Sequence, residues 1–267
     1  MDDALTPLRL QLEWGADEVL DLEPIDRLQV RAVAAPVARA VPAAAPVAPA
    51  VSMPAVGKPL GGTAAERAVA AAGGAATLEA LRDALAAFDG CTLRDTASHL
   101  VFAEGDPGSH TLIIGEPPGR EEDRSGHPFA GAEGHLLDQM LGSIGLARGE
   151  LMLTPLLPWR PPGGRPPSAG EIALCLPFLH RLIGLLEPDR VVLFGGTAAR
   201  VLVFQGQNRR RAPRGWIELS IAGMQKALPT LALPGLSEML KNPPLRRDAW
   251  AGLRMLRRTI DLSQTRT

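Results

Sequence analysis

The densest run of chemistry-bearing residues in the chain is Gly115-Glu116-Pro117-Pro118-Gly119, followed by Glu121, Glu122, Asp123, Gly126, Pro128, Phe129 and Gly131. Glycines permit positive φ and close backbone approach, and prolines stiffen the path between them. Such a loop presents a carboxylate, Glu116, and a ring, Phe129, from a fixed frame. The pair suits a planar heterocycle, with the ring stacking on it while the carboxylate activates water or offsets developing positive charge. The same composition also fits a rigid structural loop with Glu116 in a surface ion pair. A second run, Pro158-Trp159-Arg160-Pro161-Pro162-Gly163-Gly164-Arg165-Pro166-Pro167-Ser168, sets two guanidiniums in a stiff turn. Arginines contact phosphates bidentately and prolines reduce the entropy lost on docking, so this turn suits a phosphate backbone. Gly195-Gly196 lacks a phosphate-loop lysine and the full dinucleotide fingerprint, and reads as a close strand-to-helix turn.

The elements that must hold these loops follow from periodicity. Thr77 is a plausible N-cap for a helix whose Leu78, Leu81, Leu85 and Phe88 share one face. Strands are expected at 111–114, 151–154, 190–194 and 228–231. Between and after them come helices at 134–144, 168–186, 197–203 and 248–260, with Ser168 and Glu171 forming a capping box. This alternation predicts an α/β fold: a three-layer α/β/α domain with a mainly parallel central sheet, over 77–261, and a tail at 262–267. Ligands then bind beyond the carboxyl ends of the strands.

Composition sets the outer limits. The 267 residues, 46% apolar and 21% charged with net charge −1, suffice for one ordinary soluble domain and extra sequence. Residues 32–57 hold eleven Ala, six Val and five Pro, so 32–76 is expected to be a flexible linker. Upstream, residues 1–31 form an acidic arm, in which the eight acids of residues 1–30 face Arg9 and Arg27. Its 5–28 stretch reads either as one amphipathic helix or as a solvated, loosely helical arm. Residues 205–267 run the other way, with twelve Arg and Lys against four Asp and Glu. That excess suits a polyanion such as DNA, for which the acidic arm could compete, or marks a solvated helix face. Tyrosine is absent and aromatics are 4%, which excludes a surface of many stacking rings. Two cysteines, Cys91 and Cys175, exclude a disulfide framework and any site needing four thiolates from one chain. No uncharged apolar run nears the roughly 18 to 20 residues that span a bilayer, and Asp2 and Asp3 stand where a signal peptide carries basic residues. A cytoplasmic monomer without membrane attachment is expected, with DNA as partner and a further intramolecular or protein partner for the arm.

In this order the loops resemble the family-4 type, iron–sulfur uracil-DNA glycosylases. The family's GEAPG, ED, GxPFxG and LLDxML patterns are matched by Gly115 to Gly119, Glu122-Asp123, Gly126 to Gly131 and Leu136 to Leu141. Its CRPPGNR loop is similar to Trp159 to Arg165, its C-x-PFL helix to Cys175 to Leu179, its RGxW strand to Arg214 to Trp216, and its NPxxKRxxW tail to Asn242 to Trp250. The resemblance covers about residues 77–260. The Trp14 to Glu18 stretch is similar to arms of some relatives. The resemblance implies Glu116 as catalytic residue and Gly115, Pro117 and Phe129 as base-binding. It further implies DNA contacts by Arg160, Pro161, Pro162, Arg165 and Lys241.

The departures concern function. The family's cluster uses four cysteines; here Phe88 and Cys91 occupy the first pair, Trp159 replaces the third and Cys175 keeps the fourth. Two thiolates cannot ligate a four-iron four-sulfur cluster, so no cofactor and no metal are expected, and Cys91 and Cys175 become buried remnants amid packed side chains. The family's base-reading Asn falls at Pro155, which offers no side-chain hydrogen bond. Its His-Pro motif falls within Leu231 to Pro234 without a histidine. Losing such a donor typically costs about 2.7 to 4 kcal/mol of transition-state stabilisation. His127, beside Phe129, is expected to be a surface residue. The implied activity is hydrolysis of the N-glycosidic bond of a flipped base, in base-excision repair, with weak or altered specificity. The alternatives are a degenerate DNA- or repair-partner-binding module and an enzyme acting on another small ligand in the same pocket.

Overall fold

The computed structural model describes residues 62–204, 215–221 and 223–264. The acidic arm at 1–31, the 32–57 Ala/Pro/Val-rich run and Arg209 to Arg214 lie outside the described residues. In chain order the elements are α1 (Ala64–Gly74), α2 (Leu78–Ala87), α3 (Leu93–Thr96), β1 (Glu104–Gly105), β2 (Thr111–Gly115), α4 (Arg120–Ser125), α5 (Gly131–Gly142), β3 (Met152–Pro155), α6 (Ala169–Leu186) and β4 (Arg190–Phe194). They continue with α7 (Gly196–Leu202), β5 (Trp216–Leu219), β6 (Leu228–Leu233), α8 (Leu236–Lys241) and α9 (Leu245–Gln264).

The sheet runs β1-β3-β2-β4-β6-β5. Its four inner strands are parallel, and β1 and β5 close the edges antiparallel. The inner strands are short apolar runs because both faces are covered. Alternate side chains enter opposite cores: Leu112, Ile114, Val191 and Leu193 pack with α1, α2, α6 and α7, whereas Ile113, Val192, Phe194 and Leu231 pack with α5, α8 and α9. The three-layer α/β architecture expected from the alternation is therefore present.

Local sequence explains where the helices begin. Thr77 Oγ1 accepts from the Ala80 N–H at the start of α2, and Ser168 and Glu171 close the capping box of α6. Helix α1 falls inside the 32–76 segment read as linker. Thr63 and Glu66 form a reciprocal capping box there, and the small side chains of Ala68 and Ala72 let α1 lie close against α6. Beyond this point the prolines that interrupt 32–57 are gone. One described helix, α6, is long and apolar enough by composition to cross a bilayer. Its Cys175, Phe178, Leu182 and Ile183 are core residues of the domain.

Connections after β2 and β4 leave in opposite directions, since β3 lies on one side of β2 and β4 on the other. A crevice opens at their carboxyl ends, the usual ligand position in an open α/β sheet.

Candidate functional site

Glu116 emerges at that crevice from the end of β2. Its Oε1 accepts the Thr197 N–H at 2.7 Å, in the first turn of α7, which bridges the loops after β2 and β4. Gly195, with φ of +114°, makes the approach feasible: a Cβ there would stand 2.0 Å from Glu116 Oε1. Burial raises the Glu116 proton affinity above the ordinary carboxylate value, and hydrogen bonds from the Thr197 hydroxyl and the Thr197 and Ala198 N–H groups partly offset it. The nearby Glu238 charge raises it further.

Phe129 is held as tightly. It sits at φ of +53°, a conformation unfavourable for a bulky residue, and three neighbours fix it there. Its N–H donates to Glu122 Oε1 at 2.6 Å, and its carbonyl accepts from Arg148 Nη1 at 3.0 Å. Its ring covers the Cα of Gly115, where a Cβ would come within 2.7 Å of Phe129 Cζ. Glu122 also accepts the Gly119 N–H at 2.7 Å, so one carboxylate ties the start of α4 to the Phe129 backbone. Burial raises its proton affinity, against those two donors and the Arg148 charge.

A cavity of about 370 Å³ brings together Gly115, Glu116, Pro117, Phe129, Pro161 and Arg165. Six of the nine sequence-predicted site residues thus share one space. Arg160, Pro162 and Lys241 are not in its lining. Arg160 is partly buried with its Nε unpartnered, Pro162 is exposed in a short turn, and Lys241 is exposed at the end of α8. The Arg165 guanidinium already holds Glu171 through two contacts of 2.6 and 2.9 Å. That pairing draws the Glu171 carboxyl down to about 2, with the Ser168 hydrogen bonds helping. His127 is on the surface, 2.9 Å from Glu104.

Sequence reasoning did not single out Thr197, Glu133 or Glu238 for this cavity, nor the role of Glu122 in fixing Phe129. Thr197 could have been found from the helix-start pattern after Gly195-Gly196. Glu133 and Glu238 look in sequence like solvated helix positions. Pro155 pairs in register with Gly115 but faces a small void beside Cys175 and Leu179, and does not line the Glu116 cavity. Ala232 and Leu233 also lie outside the lining, which is formed in that region by Gly235 and Leu236.

Residues 102–254, the segment carrying every part of this site, match the Uracil DNA glycosylase superfamily. The chain belongs to that superfamily. A Type-4 uracil-DNA glycosylase of Pyrobaculum aerophilum is 33% identical over 183 residues, covering 67% of this chain and 92% of that protein. Type-4 enzymes of Archaeoglobus fulgidus (38% identical over 112 residues, 42% of this chain and 56% of the relative) and Sulfurisphaera tokodaii (37% over 120 residues, 45% and 54%) match shorter stretches. Within the superfamily it is thus similar to the type-4 branch, as the loop motifs indicate.

The residues at the position of that branch's iron–sulfur cluster do not fit a four-thiolate group in this superfamily member. Cys91 and Cys175 stand with Sγ atoms 4.0 Å apart, both buried. The other two ligand positions carry Phe88 and Trp159, themselves buried, and the Phe88 ring packs on Phe178 with centroids 5.3 Å apart. The Cys175 contact lowers the Cys91 thiol to about 7, while the same contact and burial push Cys175 up.

Proposed function

We propose that the chain is a DNA glycosylase of altered or weak base preference, hydrolysing the N-glycosidic bond of a nucleotide flipped into the Glu116 cavity. The observation that carries this reading is the fixed juxtaposition of Glu116 and the Phe129 ring at one crevice. Phe129 stacks on the extruded base. As the C1′–N bond breaks, its electron pair leaves with the base, and the ionised Glu116 stabilises the positive charge left on the sugar. A water oxygen then bonds to C1′ while its proton passes to the carboxylate. Pro161 and the loop to Arg165 offer a stiff rim for the phosphate backbone, and Lys241 adds a cation nearby. No cluster takes part: Phe88 and Trp159 fill the volume with side chains. The protein acts on DNA as a cytoplasmic monomer, and its acidic arm modulates that binding or engages a partner protein.

Uracil itself is a poor fit. Pro155 has no donor for the base edge, and no histidine stands at Leu231 to Pro234 to polarise a departing anion. Those losses also favour a second reading, a binding module that cleaves nothing. Single-turnover excision on single- and double-stranded oligonucleotides bearing uracil, hypoxanthine, xanthine or a mismatch separates the two. Glu116→Ala is expected to remove any base release by a hundredfold or more, with binding to DNA retained. Release that survives Glu116→Ala would show that the working groups lie elsewhere.

A further inference from the structure

Two carboxylates in the Glu116 cavity have no task in the chemistry above. Glu133 comes from the first turn of α5 and Glu238 from the first turn of α8. Among the described residues neither has a hydrogen-bond or ion-pair partner. With Glu116 and Glu122, they face two cations of the lining, Arg165 and Arg200; Arg165 is matched by Glu171, and Glu122 is offset by the Arg148 charge, so Glu116, Glu133 and Glu238 remain against Arg200. Lys241 lies near Glu133 and partly relieves it. The space left for a base therefore carries an excess of negative charge. Burial raises the Glu133 proton affinity, and the Glu122 and Glu116 charges raise it further.

We propose that this cavity is built for a cationic base, an N-alkylated purine such as N7-methylguanine, with Glu133 and Glu238 as specificity determinants. The inference rests on the glycosylase reading and deepens it. A positively charged ring relieves the repulsion among the carboxylates, and the Phe129 face attracts a cation through its ring quadrupole. The chemistry agrees with what the chain lacks. Uracil leaves with the bonding electron pair as an anion and needs a donor to receive it. In an N7-alkylated guanine the pair neutralises the charge already on the imidazolium ring, and the base departs neutral. Water supplies the oxygen to C1′ and one proton, taken first by Glu116 and then by solvent. The absence of a histidine and the presence of Pro155 then remove nothing this reaction requires. A cavity of about 370 Å³ accommodates a purine.

Two measurements on the full chain test the inference and keep it separate from the glycosylase reading. The first is equilibrium binding of N7-methylguanosine against guanosine in mildly acidic buffer, where the alkylated base keeps its N1–H and is a cation. At least tenfold preference for the cation is expected, falling about tenfold at low salt in Glu133→Gln, where the carboxylate is partly buried, and by a smaller factor in Glu238→Gln, where it is exposed and more strongly screened. Melting curves of the variants should match the parent. The second is base release from oligonucleotides carrying N7-methylguanine or uracil. Faster release of the alkylated base, slowed by Glu133→Gln, is expected. Equal binding of the two nucleosides, or release of uracil in preference to the alkylated purine, overturns the inference whether or not the protein is a glycosylase. Cation preference without release of any base supports the pocket's selectivity and overturns the glycosylase reading alone.

Discussion

Glu116 occupies a position where a carboxylate is costly to ionise, and that cost has a measurable sign. Its folded-state proton affinity is raised by burial, so the native state holds the proton more tightly than the unfolded chain does. The resulting stability is present below the ordinary carboxylate range and is lost as pH rises through the raised value. Glu116→Gln keeps an acceptor for the Thr197 N–H and removes the buried charge. Thermal unfolding should therefore show the variant melting above the parent at pH 8, with the gap closing toward pH 4. A parent that melts higher at pH 8 would mean that the three α7 donors more than compensate for burial. Glu116 and Phe129 were legible in the sequence because glycine and proline density marks a loop of fixed shape. What fixes Phe129 at positive φ was not, because the Glu122 and Arg148 contacts depend on the folded path. Arg165 shows the converse: its type and loop suit a phosphate, yet the capping-box carboxylate Glu171 binds it bidentately. A capping glutamate three residues into a helix is readable, but its second partner is not.

At the level of elements, α2, α6 and the Trp159 loop form the part of the core that the type-4 resemblance assigns to a cluster. Phe88, Trp159 and Phe178 are buried there with Cys91 and Cys175. If side chains fill that volume, Trp159→Ala should lower the unfolding free energy by roughly 3 to 5 kcal/mol, read from urea titration with an unchanged slope. Anaerobically purified protein should at the same time contain no stoichiometric iron or sulfide. Bound iron and sulfide, or a Trp159→Ala variant as stable as the parent, would refute the filled core. The caps at Thr77 and at Ser168 with Glu171 were predictable, since each pairs a small polar residue with a following apolar period. Helix α1 was hidden by an Ala- and Gly-rich composition continuous with the preceding segment; its Thr63 and Glu66 capping box is the only local signal. Strand β1 is two residues long, too short to show alternation. Sheet order also lay beyond local pattern, because register comes from which apolar faces meet.

Over the whole molecule, charge is distributed unevenly along a chain whose net charge is only −1. Residues 205–267 carry twelve basic against four acidic side chains, and residues 1–31 carry eight acids against three arginines. A polyanion near the protein feels the sum of these fields at low salt and mostly its nearest charges at high salt, since the screening length shortens to about 8 Å at 0.15 M. If basic side chains bind DNA phosphates, the logarithm of the association constant should fall linearly with the logarithm of salt concentration, by about 0.9 for each phosphate neutralised on duplex DNA. Deleting residues 1–31 should tighten binding to an undamaged duplex at low salt, and the advantage should shrink as salt rises. Fluorescence anisotropy across a salt series on both proteins measures slope and offset together. The slope reports phosphate contacts, which substitution of Arg160 or Lys241 should reduce by about one each. The offset reports the arm, whose acids neutralise no phosphate and so should leave the limiting high-salt slope unchanged. Binding that ignores salt would remove DNA backbone recognition from the basic surface. An unchanged low-salt affinity after deletion would assign the arm's acids to something other than tuning DNA association.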